Sequence, residues 1–202
     1  RAFDETTAMA QRRKYLRLAK NIGLKPGDTL LEIGCGWGDF AEMAALEFGC
    51  KVTAITLSAE QAKFAKDRFS AVGLTEKIDI QIADYRDLRD SFDKVVSIEM
   101  FEAVGEDYWS TYFDVLRRCL KPGGRAGLQV ITINDDYFEG YKNNPDFIQK
   151  YIFPGGMLPS RERFEKVVSD ANLKISDSFF FGKSYAETLR RWHKDFLVYW
   201  PQ

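Results

Sequence analysis

The chain has 202 residues, of which 45% are hydrophobic and 29% charged, with a formal net charge of −1. That length suits one domain with one core, burying about 70% of the surface an unfolded chain exposes. The balanced charge suggests no nucleic-acid partner, and no apolar run reaches the roughly 18 residues that a membrane span needs. Cys35, Cys50 and Cys119 are odd in number and lack metal-ligand spacing, so reduced thiols in a cytoplasmic protein are expected, with no metal site.

The first twenty residues set Arg1, Arg12, Arg13, Lys14, Arg17 and Lys20 against Asp4 and Glu5 alone. Such a basic amphipathic helix reads first as a solvated outer face. An anionic membrane surface is the alternative reading. Strand-like runs then appear at 29–33 (TLLEI), 52–57 (VTAITL), 78–83 (IDIQIA), 94–98 (KVVSI) and 126–133 (AGLQVITI), with helical periodicity between them near 39–48, 59–72 and 107–119. This alternation predicts an α/β fold with a mostly parallel sheet and helices on both faces. Lys121-Pro-Gly-Gly124 should close the third of these helices and turn the chain into the fifth strand.

There the rhythm stops. Residues 134–160 carry no clean periodicity and are expected to form a lid over the carboxyl ends of the strands. A helix capped by Ser160 should follow, then a strand-like KISDSFFFG (174–182) and a last helix from about 184. Phe179-Phe180-Phe181 reads as a buried strand in preference to an acyl-chain channel. His193, set among charges, reads as a solvated helix residue.

Gly34, Gly36 and Gly38 lie between the first strand and a helix. Absent side chains let a ligand approach the backbone, and the helix start offers free N–H groups. A dinucleotide fingerprint wants GxGxxG and an acid at the end of the second strand. Here the spacing is GxGxG and that strand ends Ile55-Thr56-Leu57. Glu32 before three alternate glycines instead resembles the loop of class I S-adenosylmethionine (SAM) methyltransferases, a plain tight turn being the alternative. Asp84 and Tyr85, after the third strand, suit an adenine amine and ring face. Asp84 as the cap of a short turn is the competing reading. Glu99 and Glu102 follow the fourth strand, where open α/β sheets bind ligands. A helix-start acid pair is their bland reading.

Six segments together resemble the cyclopropane-fatty-acyl-phospholipid synthases and the related mycolic acid and methyl-branching methyltransferases: LEIGCGWG (31–38), VTAITLSAEQ (52–61), DYRDL (84–88), SIEMFEAVG (97–105), YIFPGGMLPS (151–160) and SYAETLRRW (184–192). The likeness spans nearly the whole chain. It implies a Rossmann-like class I SAM-dependent methyltransferase fold, with residues 1–202 forming one catalytic domain that is incomplete at both termini. It also implies a cofactor site, with Glu32, Gly34, Cys35, Gly36 and Gly38 along the methionine portion, Thr56, Leu57, Ser58 and Gln61 at the ribose, Asp84 and Tyr85 at the adenine, and Glu99 nearby.

The reaction that the resemblance implies is attack by a cis acyl double bond on the SAM methyl group, followed by proton removal from the resulting cation. Bicarbonate is the base the family holds, and the positions that match its site are Glu102, Tyr185, Gln129 and the backbone of Ile131. Gln129 stands where the family has a histidine, and it can donate a hydrogen bond but carry no proton. Phe101, Tyr151, Phe153 and Tyr185 are candidates to face the cation. Arg1, with Ala2 and Phe3, matches the remnant of a family segment that reaches the anion.

The expected partners are an unsaturated phospholipid acyl chain and the inner membrane surface approached from the cytoplasm, with a homo-oligomer left open. A small-molecule N- or O-methyltransferase and a catalytically silent SAM-binding partner of a lipid enzyme are the competing functions.

Overall fold

The computed structural model describes residues 5–200. Helix α1 (Thr7–Asn21) is capped by the Thr6 hydroxyl, which accepts from the Met9 N–H. Then β1 (Thr29–Ile33), α2 (Asp39–Glu47), β2 (Lys51–Thr56), α3 (Ala59–Ala71), β3 (Ile78–Ile82) and β4 (Phe92–Ile98) alternate as the sequence predicts. After α4 (Trp109–Arg118) comes β5 (Leu120–Gln129), and α5 (Asp135–Asn143), α6 (Arg161–Asp170) and α7 (Gly182–Tyr199) complete the chain.

The strands lie in the order β3-β2-β1-β4-β5, and every pairing is parallel. Successive side chains of a strand point to opposite faces, so Leu30 and Val96 join the core beneath α1, α2 and α3, while Leu31, Ile33 and Val95 join the core beneath α4 and α6. Both faces are apolar because both are covered. From β1 the chain moves one way across the sheet, and from β4 it moves the other. Such a reversal leaves a crevice beyond the carboxyl ends of the two strands, where ligands of open α/β sheets bind.

Three expectations are corrected. The fifth strand begins at Leu120 and leaves the ladder after Gln129, not Ile133. Its register jumps from Phe92↔Leu120 to Lys94↔Arg125, so Lys121-Pro-Gly-Gly124 forms a bulge within the strand. At the other end the Ile131 N–H turns to a side chain, and only Ile133 bridges onward, to Ser160. The lid is also more ordered than its composition suggests. Asn134 caps α5, Phe138 anchors it at 2% exposure, and Ile148–Ile152 form a π turn.

The third correction concerns KISDSFFFG. Residues 174–181 join no ladder, and Phe179 and Phe180 are 53% and 62% exposed. Cations hold the segment instead, with the Arg17 guanidinium 3.6 Å from the Phe179 ring centre and that of Arg161 5.3 Å from Phe180. Ser160 caps α6 as expected, accepting from the Arg163 N–H at 3.4 Å.

Gly38 illustrates how closely the elements meet. At φ +89° it lies in the left-handed region, and a Cβ there would sit 2.6 Å from Cζ of Phe69. Gly38→Ala is therefore expected to cost about 2–4 kcal/mol through backbone strain and overpacking. Denaturant unfolding of the two proteins side by side measures this directly.

Candidate active site at the carboxyl ends of the first and fourth strands

The glycine loop leaves β1 and folds back under β2, with the N–H groups of Gly34 and Cys35 both donating to the Ile55 carbonyl at 3.0 and 2.9 Å. All three glycines are left-handed, yet their surroundings differ. A Cβ at Gly34 would meet Met100 Cγ at 2.6 Å, and one at Gly38 would meet Phe69, whereas one at Gly36 would meet nothing within 4 Å. Gly34 and Gly38 thus serve packing, and Gly36 faces open space. Cys35 is buried beside them, its thiol pushed up to about 12 first by desolvation.

Beneath the loop, Glu32 is 2% exposed and lifted well above the usual carboxylate range, chiefly by burial. It accepts from the Ala41 backbone, but its Oε2 has no partner. A buried acceptor without a donor, next to a loop open at its middle glycine, fits a ligand that brings positive charge and polar hydrogens. The N-cap of α2, Gly38, brings no side chain to its first turn; of the N–H groups there, that of Ala41 is taken by Glu32 and that of Glu42 by the Gly38 carbonyl, which leaves those of Asp39 and Phe40 for that ligand.

At the end of β2, Thr56 Oγ1 donates to Gln61 Oε1 at 2.8 Å and accepts from the Ser58 N–H at 3.1 Å. Ser58 caps α3 by accepting from the Gln61 N–H at 3.2 Å. This interlock commits Gln61 Oε1 and leaves its amide NH2 to a ligand, while Leu57 is 74% exposed beside it. Asp84 takes the turn-capping role, accepting from the Arg86 N–H at 2.9 Å and pairing with its guanidinium at 3.0 and 2.6 Å. These bonds hold its carboxyl below the usual range. Two carboxylate oxygens offer about four acceptor sites, so one remains for an amine. Tyr85 is half-buried, edge-on to Tyr112.

The acidic side of the crevice is built by β4 and β5. Immediately after β4, Glu99 adopts a left-handed φ of +52°, and a short 3-10 turn at Phe101–Ala103 brings Glu102 back across the sheet edge. Glu102 Oε1 accepts from the Ile131 N–H at 2.5 Å. Glu102 Oε2 is buried and has no partner among the described residues. Burial raises its pKa above 4.5, and the nearby charge of Glu99 adds to the shift. The Glu102 carbonyl also accepts from Met157 N–H at 2.8 Å, which ties the lid to this turn.

Gln129 does not meet Glu102. Its amide donates to Glu99 Oε1, and the Glu99 N–H donates to the Gln129 carbonyl at 3.0 Å. Tyr185, on α7, is partly buried, and its phenol is raised first by desolvation and then by the charges of Glu99 and Glu102. Glu102, Ile131, Tyr185, Glu99 and Gln129 are thus brought together, in two subsets.

Other expected residues lie elsewhere. Phe101 is 1% exposed and packs on Trp109, Tyr112, Phe113 and Phe164, so it is a core residue and not a pocket wall. Tyr151 and Phe153 are 71% and 66% exposed at the lid's π turn. Arg1 falls outside the described residues. One neighbour was missed: Lys14, grouped by composition with the solvated cations of α1, has a side chain only 20% exposed and 3.8 Å from Glu99.

The family described as mycolic acid cyclopropane synthetase matches residues 1–202. The chain belongs to this family. It is 40% identical over 191 residues to the tuberculostearic acid methyltransferase UfaA1 of Mycobacterium tuberculosis, covering 94% of this chain and 44% of that protein. It is 39% identical over 193 residues to the cyclopropane-fatty-acyl-phospholipid synthase of Escherichia coli K12, covering 96% and 48% respectively. The chain therefore spans less than half the length of these two curated relatives.

Among solved structures, mycolic acid cyclopropane synthase CmaA1 complexed with SAH and CTAB is similar at a TM-score of 0.79 and 27% identity, over 86% of this chain and 64% of that one. The five-stranded parallel sheet described above is thus the Rossmann-like class I SAM methyltransferase fold. The glycine loop and Glu102 lie in the two segments that flank the strand-order reversal of that fold.

Proposed function

We propose that the protein transfers a methyl or methylene group from SAM to the double bond of an unsaturated phospholipid acyl chain, forming a cyclopropane or methyl-branched chain. The observation that carries this reading is Glu102: one oxygen is fixed on the Ile131 N–H, and the other is buried and has no partner among the described residues, in the segment that follows β4. A carboxylate poised that way has a proton to take. The family likeness supplies the substrate class.

In this reading Glu32, Gly34, Cys35, Gly36 and Gly38 line the methionine portion of the cofactor. The interlocked Thr56, Leu57, Ser58 and Gln61 edge lines the ribose, Asp84 and Tyr85 meet the adenine, and Glu99 sits beside the sulfonium side. When bound, SAM supplies an electrophilic methyl group. An alkene is a weak nucleophile, so the crevice must hold it in line with that methyl and keep water out. The new carbon–carbon bond forms as the sulfur–methyl bond breaks and S-adenosylhomocysteine leaves with the electron pair; the cationic chain then loses a proton toward Glu102 Oε2, and the electron pair left behind closes the ring or restores a double bond. Tyr185 presents its ring to the cation, and Tyr151 and Phe153 are the lid's candidates for contact with the chain.

Were bicarbonate bound as the base, Glu102 Oε2 would hold it by accepting its hydroxyl proton in place of the chain's, and the Tyr185 hydroxyl would be the donor on α7 available to it. The Ile131 N–H and the Gln129 amide are already engaged, by Glu102 and Glu99 respectively. Because burial raises the Glu102 pKa, the ionised form accumulates only above its folded value. Activity is expected to rise with pH through that value, on a limb above 4.5. A profile of kcat/KM against pH checks this, and a limb that persists in Glu102→Gln assigns it to another group.

No helix among the described residues is long and apolar enough to cross a membrane. The lipid reading itself, with its phospholipid substrate, calls for access to the acyl chain at a membrane surface, which we place on the cytoplasmic side. The decisive experiment incubates full-length protein with methyl-labelled SAM and vesicles of unsaturated phospholipid, followed by lipid mass spectrometry. The expected result is a gain of one CH2 on the acyl chain and none with saturated phospholipid. Label appearing on a nitrogen or oxygen of a small molecule would overturn the lipid reading.

A further inference from the structure

Lys14 projects from the middle of α1 toward the crevice. Its Nζ lies 3.8 Å from Glu99 Oε1, after β4, and it senses the charge of Asp39, which directly follows the glycine loop. The ammonium is therefore placed between the two segments that flank the cofactor crevice. The neighbouring cations are differently engaged. Arg12 is bonded to Glu47, Arg13 paired with Glu5, Arg17 set on the Phe179 ring, and Arg68 held by Glu42 and Asp39.

Lys14 lies 4.9 Å from the Tyr15 ring centre, which covers one side of its ammonium. Its contact to Glu99 is longer than a hydrogen bond, its side chain is 20% exposed, and burial disfavours its charged form. A half-buried ammonium with three donors and no acceptor within hydrogen-bond distance among the described residues has capacity for an incoming anion. Glu99 is its counterpart. Oε1 carries both the Gln129 amide and the Lys14 contact, while Oε2 makes no hydrogen bond among the described residues. The left-handed backbone of Glu99, unusual for a residue with a side chain, marks a position held by its surroundings.

The methionine portion of SAM ends in a zwitterion, an ammonium and a carboxylate on one carbon. One cation and one anion side by side match such a group in charge. We propose that Lys14 and Glu99 form this subsite, Lys14 binding the cofactor carboxylate and Glu99 Oε2 its ammonium, while Gln129 holds Glu99 in place through Oε1. This rests on the SAM reading above and adds to it a residue from outside the family motifs. It also gives Gln129 a task on the cofactor side of the crevice, apart from the base.

Three ligands separate the parts of the subsite: S-adenosylhomocysteine carries both charged groups, decarboxylated SAM only the ammonium, and 5′-methylthioadenosine neither. Calorimetry on the full-length protein should show Lys14→Met weakening S-adenosylhomocysteine about tenfold, the scale of one charge-assisted hydrogen bond. Binding of decarboxylated SAM and methylthioadenosine should be unchanged, and Lys14→Arg should recover part of the loss. Glu99→Gln should weaken S-adenosylhomocysteine and decarboxylated SAM but not methylthioadenosine.

Equal loss across all three ligands in Lys14→Met would mean a merely structural role and overturn the assignment, as would no loss at all. Methylthioadenosine binding reports that each variant is folded with its adenosine site intact. Failure of the unaltered protein to bind any of the three would instead overturn the cofactor reading itself.

Discussion

Glu102→Gln is expected to bind cofactor normally and to lose turnover by about 10²–10⁴-fold, the range a positioned general base supplies. The substitution keeps an oxygen for the Ile131 N–H and leaves the Met157 contact to the backbone carbonyl untouched, so the turn and lid should stay in place. What is lost is the acceptor at Oε2, the buried oxygen with no partner. The same change should stabilise the protein at neutral pH. The folded pKa of Glu102 is raised by burial, so its burial costs nothing below the unfolded value of 4.5, costs more as pH rises from there to the folded value, and costs a constant amount above it. Gln carries no charge to desolvate there. Thermal unfolding across pH should therefore show the variant gaining on the wild type toward neutral pH while product formation from labelled SAM collapses. Undiminished product would remove Glu102 from proton transfer.

That expectation rests on contacts which the sequence discloses only in part. β1 is legible to the residue because TLLEI, apolar but for Thr29 and Glu32, runs straight into glycine, and a strand buried on both faces shows no alternation. β5 is misread at both ends for tertiary reasons. Its bulge keeps Leu120 paired with Phe92 before the glycines, and its exit is set by a carboxylate 29 residues earlier that captures the Ile131 N–H. Nothing local in AGLQVITI announces this. KISDSFFFG has the period and composition of a strand but no pairing partner among the described residues, and cations cover its rings instead. α5 escapes notice because one buried residue, Phe138, gives it no apolar stripe.

The site divides similarly. The glycines and Glu102 follow from motif and position, since chemistry at the end of a strand needs few residues in fixed order. Partners do not follow, because they come from other elements. Gln129 is adjacent to Glu102 in expectation and bonded to Glu99 in the structure. Phe101, between two glutamates, looks like a pocket wall, yet four aromatic neighbours enclose it. Lys14 hides in a basic stripe whose other described members are solvated or differently paired.

Gly36→Val should abolish cofactor binding, by at least about a hundredfold, with little damage to the fold. The physical contrast lies within one loop. A Cβ at Gly34 or Gly38 collides with Met100 or Phe69, so substitution there disturbs packing before it reaches a ligand. At Gly36 a Cβ meets nothing within 4 Å, and the cost to the protein is the left-handed φ of +53° alone, about 1–2 kcal/mol. The valine side chain would instead fill the space that the crevice reserves for the methionine portion. Gly38→Ala and Gly36→Val should thus separate cleanly: the first lowers the unfolding midpoint, and the second lowers affinity for S-adenosylhomocysteine at a nearly normal midpoint. Calorimetry with undiminished binding in Gly36→Val would move the cofactor off the loop, and Glu32 would then need another explanation for its buried, unpartnered oxygen.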